Sequence, residues 1–154
     1  MSCGIALALT LALTPASFTE AAPAPGPLVS VASEPLYAEI IDRATRLEAR
    51  VAALRTPALK ASPTAVSLPG FAELKAEAVR LAELDMQGHR DLAARGTDGD
   101  LKCILRGISE DMAGKVAAVE SATTGAAQDL ALDELRHLLI DNREVLKAPP
   151  APPV

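Results

Sequence analysis

Four stretches of the chain place apolar residues three and four positions apart, the spacing that lines one face of an α-helix. In the first, Leu36, Ile40, Ala44, Leu47, Val51 and Leu54 form such a seam. It predicts a helix over about 34–55, with Ser33 as N-cap and Pro35 in the first turn, where a missing N–H costs nothing. The second stretch carries Phe71, Leu74, Ala78, Leu81 and Leu92 and predicts a helix over about 70–95, stopped by Gly96. The third, about 99–122 with Asp98 as cap, presents Leu101, Ile104, Leu105, Ile108, Met112, Val116 and Val119. The fourth, about 126–147, presents Leu132, Leu135, Leu139, Asn142 and Leu146. No segment alternates apolar and polar residues as a half-buried strand would.

The connections order these helices. "GTDGD" and "TTG" are short, so the second, third and fourth helices are expected to be antiparallel neighbours. "TPALKASPTAVSLP", residues 56–69, is longer, and its path across the end or along the side of the helices is open. Each amphipathic helix must bury one face, and four of this length do so most simply as an all-α, antiparallel four-helix bundle over 34–148. Glu39 with Arg43 and Asp42 with Arg46 stand four apart and are expected as solvated ion pairs away from the seam. Asp129 falls on the solvated side of the fourth helix by the same phase.

Composition sharpens this picture. A chain of 154 residues with 49% hydrophobic and 23% charged residues supplies one core, but only 2% of it is aromatic and it has no Trp. The core must be made of Ala, Leu, Val and Ile, which suits closely packed helices. The net charge of −5 offers no electrostatic basis for binding nucleic acid or an anionic membrane.

The flanks differ in kind. Residues 1–22 hold an apolar run from Gly4 to Leu13, interrupted only by Thr10, followed by small residues and proline. The run is too short to span a bilayer and resembles a secretory signal, although no Lys or Arg precedes it. Its removal would take Cys3 with it and leave no segment for stable membrane insertion. Residues 23–33 are Pro-rich and expected as an extended linker, and 149–154 as a similar tail. A periplasmic or secreted location is the expectation.

Removal of the signal would leave Cys103 as the sole cysteine. At about 100° per residue it points away from the apolar stripe of its helix, together with Gly107, Glu110, Gly114, Ala117 and Ser121. An unpaired thiol in an oxidising compartment among small residues suggests close approach of a second copy and an intermolecular disulfide. A nucleophilic role has no base beside it.

Asp85 and His89 fall on the apolar face of the second helix, one turn apart, where carboxylate and imidazole are expected to pair, with Asn142 joining them. This reads first as a buried polar layer that sets helix register. The alternative is a ligand or metal site built on Asp85 and His89, but a zinc site needs three or four donors. Glu134 and His137 match the Glu-x-x-His element of ferritin-like di-iron bundles, which use two such elements and two further glutamates. Here there is one, and its His137 faces away from the seam. No P-loop, dinucleotide-binding turn, nucleophile elbow, His-Glu-x-x-His or Cys-x-x-Cys-His sequence is present. The sequence therefore points to an exported helical bundle, not an enzyme and without a cofactor, that acts through contacts with an unnamed protein partner or with its own copy through Cys103.

Overall fold

Proline and glycine set the helix boundaries in the computed structural model, which describes residues 30–96 and 99–148. The signal-like segment, Cys3, residues 23–29, Asp98 and the tail 149–154 lie outside the described residues. The protein is all-helical, with no strand among those residues: α1 is Pro35–Leu54, α2 Pro57–Ala61, α3 Phe71–Arg95, α4 Gly99–Ser121 and α5 Gly125–Lys147. Four of the five are long.

The start of α1 corrects the expected cap. Ser33 belongs to a 3₁₀ turn, Val31–Ser33, and Glu34 occupies the cap position without a side-chain bond to the helix N–H groups, followed by Pro35 at the first helical position. The end of the linker is thus a docked turn rather than an extended segment. Ser30 anchors it by donating to the carbonyl of Leu146 on α5 at 3.4 Å. The chain leaves α1 because Thr56 precedes Pro57, which disfavours helical geometry. Thr56 is extended, at φ −116° and ψ 154°, and its hydroxyl accepts from the N–H of Leu59 to cap α2. α3 is bracketed by Gly70 at φ +70° and Gly96 at φ +64°, left-handed conformations that favour glycine. Thr124 caps α5 through the N–H of Ala127.

The long helices pack in a ring in the order α1, α3, α4, α5, with α1 beside α5 closing it. Cross-helix contacts show that every neighbouring pair runs antiparallel. Glu34 meets Arg95 and Arg43 meets Glu77 between α1 and α3. Lys75 meets Glu120 between α3 and α4, Lys115 meets Glu134 between α4 and α5, and Arg55 meets Asp129 and Asp133 between α5 and α1. α3 and α5 are left diagonally opposite.

The core takes Ile40, Ala44, Leu47 and Val51 from α1, Leu74, Ala78, Leu81 and Leu92 from α3, Leu101, Leu105 and Met112 from α4, and Leu132, Leu135, Leu139 and Leu146 from α5. Full burial of one such Leu is worth about 1.5–3 kcal/mol. Leu36, Leu54, Phe71 and Ile104, expected in the seams, are only partly buried at the margins. Tyr37 rather than Leu36 begins the α1 seam, since 37, 40, 44, 47 and 51 keep the regular alternation of three and four. Its ring rests against Gly88 of α3, where a Cβ would stand 3.2 Å from Cε1.

The connection 56–69 crosses the end of the ring. α2 lies within it and packs on α5 through the buried Leu59. Gly125 donates its N–H to Ser62, Ala65 donates to Thr123, and the amide of Gln128 both accepts from the N–H and donates to the carbonyl of Val66, at 3.1 Å each. Asp129 is likewise not solvated. It is buried beside Arg55, whose Nε is 3.0 Å away, because the α5 face it occupies is covered by the end of α1. Glu39 pairs with Arg43 at 2.9 Å as expected, whereas Asp42 and Arg46 make no ion pair among the described residues.

Candidate functional site

The outward face of α4 begins with Cys103, which is exposed and unbonded. Following it at helical spacing, Gly107 is half-buried and Glu110, Gly114 and Ala117 are exposed. Glu110 stands 3.8 Å from Arg106, a solvated pair one turn apart. Every glycine inside a helix costs about 0.5–1 kcal/mol relative to alanine. At Gly88 and Gly125 that cost has an internal reason: a Cβ would fall 3.1 Å from Leu105 Cδ1 at the first and 1.9 Å from the Leu59 carbonyl oxygen at the second. At Gly107 and Gly114 a Cβ would meet nothing within 4 Å. The fold itself gives no reason for these two.

Beside this face runs an apolar groove between α3 and α4, of about 540 Å³. Its walls are chiefly Val79, Ala82 and Met86 on α3 and Ala113, Val116 and Ala117 on α4, so Ala117 belongs to both groove and small-residue face. The Lys75–Glu120 ion pair, at 2.8 Å, closes one end. Val79, at the edge of the groove, is 50% exposed. Sequence reading missed the groove. Its signal was present as a second apolar row, 79, 82 and 86, beside the seam of α3.

Inside the ring, the polar residues are arranged differently from the expected layer. Asp85 and Asn142 are both fully buried, and Asn142 Nδ2 donates to Asp85 Oδ2 at 2.8 Å across the diagonal between α3 and α5. Burial pushes the Asp85 carboxyl up to about 8, an effect that the Asn142 amide only partly offsets. His89 is not its partner. Four residues along α3 turn the imidazole about 40° further round the helix, towards α4, where it is half-buried with Nδ1 2.7 Å from the carbonyl oxygen of Lys102. The Asp85–His89 pair on which a metal or ligand site would rest is therefore not formed, and no group of three or more His, Cys, Asp or Glu able to hold a metal occurs among the described residues. His137 is exposed, 4.0 Å from Asp133, while Glu134 pairs with Lys115. The Glu-x-x-His tetrapeptide faces outward and its two members diverge.

One further polar cluster was not foreseen. Tyr37 donates its hydroxyl to Asp91 Oδ2 at 2.6 Å, and Arg95 lies 5.9 Å from the ring centre while binding Glu34 with two nitrogens. Burial and the Asp91 carboxylate push the phenol up, and the Arg95 guanidinium holds Glu34 below the usual carboxylate range. Each group is occupied by a neighbour, so the cluster ties the start of α1 to the end of α3 and offers no free acid or base.

No described helix is long and apolar enough to cross a membrane. No family model, curated protein or solved structure matches the chain.

Proposed function

We propose that this chain is an exported four-helix bundle that acts through protein contacts rather than catalysis, and that the contact surface is the outward face of α4 with the adjoining groove. The partner we assign to it first is a second copy of the chain. The observation that carries the reading is the contrast among the helix glycines: Gly88 and Gly125 are packed against, whereas Gly107 and Gly114 face open space on the helix face that also carries an exposed thiol. Small residues let two α4 helices approach closely across a two-fold axis, and a disulfide forms if the two Cys103 Cα atoms come within about 7 Å. A second support is that groove and small-residue face are continuous through Ala117, which gives the partner an apolar surface further along the helix that carries the thiol.

The test is the oligomeric state of the protein recovered from its own compartment. A covalent dimer is expected without reductant, lost in Cys103→Ser with helicity unchanged. Sedimentation of the reduced protein should show a non-covalent dimer that Gly114→Leu weakens at least about tenfold, equivalent to about 1.4 kcal/mol. A wild-type protein that stays monomeric under oxidising conditions, with Gly114→Leu indistinguishable from it, would overturn the assignment.

A further inference from the structure

The Asp85–Asn142 contact is chemically incomplete as an ionised pair. The amide donates one hydrogen bond, to Asp85 Oδ2. What remains is Asp85 Oδ1 and Asn142 Oδ1, both buried and neither with a partner. A carboxylate has no hydrogen and the amide oxygen has none, so the site holds two acceptors and lacks one donor. A single proton supplies it.

We infer that Asp85 is a neutral carboxylic acid in the folded protein at neutral pH, with its Oδ1–H donated to Asn142 Oδ1, so that acid and amide form a closed pair of hydrogen bonds across the core. The surroundings favour the neutral form. From α1 the buried titratable group is Tyr37, engaged by Asp91, while Glu39 and Arg43 pair with each other at the surface. α4 presents Leu105, Ile108 and Met112, with Ser109 donating to the carbonyl of Ala82. On α5, Leu139 and Leu146 flank Asn142, and Arg143 is directed at Glu48 and Glu144. On α3 itself His89 is held by Lys102. Among the described residues no cation stands against Asp85 to hold it ionised, and burial raises its carboxyl although the Asn142 amide pulls it down.

The consequence is a pH-sensitive core. An unfolded Asp releases its proton near pH 3.9, whereas the folded one keeps it to about 8. The folded state therefore binds the extra proton, and stability from this group is fully present below about pH 4, falls as pH rises through the window and is lost once Asp85 ionises. Ionisation leaves three acceptor oxygens, two of Asp85 and one of Asn142, with only the Asn142 N–H to serve them and loosens the tie between α3 and α5.

Asp85→Asn tests this, because amide and amide can close the same two-bond pair with no titrating proton. Urea unfolding across the pH range should show the unfolding constant of the wild type, divided by that of Asp85→Asn, rising about tenfold per pH unit between about 4 and about 8 and levelling above. Infrared spectra at about pH 7, where ordinary carboxyls are ionised, should show one protonated carboxyl band that Asp85→Asn lacks. If that variant fails to fold, titration of the band in the wild type alone decides. Parallel pH profiles for the two proteins, or a wild type without the band at about pH 7, would overturn the inference and indicate an ionised Asp85 served by buried water.

Discussion

A methyl group added at Gly125 would fall 1.9 Å from the carbonyl oxygen of Leu59, whereas the same addition at Gly107 meets nothing within 4 Å. The first is a collision with backbone that only displacement of α2 relieves. The second fills open space and removes the extra freedom of glycine from the unfolded chain. Gly125→Ala should therefore lower the unfolding free energy by about 1–3 kcal/mol, and Gly107→Ala should raise that of the monomer by about 0.5–1 kcal/mol, both read from urea melts. Equal effects of the two changes would mean that α2 does not sit on the start of α5 as described. In the sequence the two glycines look alike, since each stands in or beside an apolar helical pattern. Asp129 teaches the same lesson among polar residues: phase alone put it in solvent, and the end of α1 with Arg55 covers it.

At the scale of elements, the connection between α1 and α3 is held by α2 packed on α5, by two backbone hydrogen bonds and by one side chain. Gln128 satisfies both the N–H and the carbonyl of Val66, which stands in for a strand partner. Gln128→Ala should release this segment at a cost of about 1–2 kcal/mol, modest because water can reach Val66. Hydrogen exchange should quicken at Val66, and protease should cut within 62–69, while the centres of α3 and α4 stay protected. Unchanged exchange at Val66 would show that Ala65–Thr123 and Gly125–Ser62 suffice to hold the segment. The helices themselves follow their sequence boundaries closely, because Thr56-Pro57, Gly70, Gly96 and Thr124 each impose a local geometry that ends or starts a helix wherever the chain is placed.

For the whole molecule, the proposed function includes the proposal of export and so depends on which part of the chain persists in the mature protein. A mature chain starting near Pro23 leaves Cys103 as the sole thiol. Intact-mass measurement of the protein from its host is expected to find that species, and a product retaining Met1 would remove both the location and the argument for a lone cysteine. The same sample connects to the assembly test, since a covalent dimer of the mature chain must vanish with reductant.

Legible in the sequence were the four long helices, the residues that most of them bury, the outward direction of Cys103 and the burial of Asp85 and Asn142. All of these depend on the period of one helix at a time, and a period of 3.6 assigns every residue to a face without reference to neighbours. Short connections also showed that α3, α4 and α5 are consecutive neighbours, whereas the course of residues 56–69, the groove at Val79 and Ala117, and the choice of Asn142 over His89 as partner of Asp85 were hidden. Asp85 and His89 are four residues apart, yet a rotation of about 40° sends one to the centre and the other to the carbonyl of Lys102. Asn142 lies 57 residues from Asp85 and meets it because α3 and α5 face each other across the ring. Periodicity determines what each helix must hide; only the packed arrangement of all four decides which hidden group meets which.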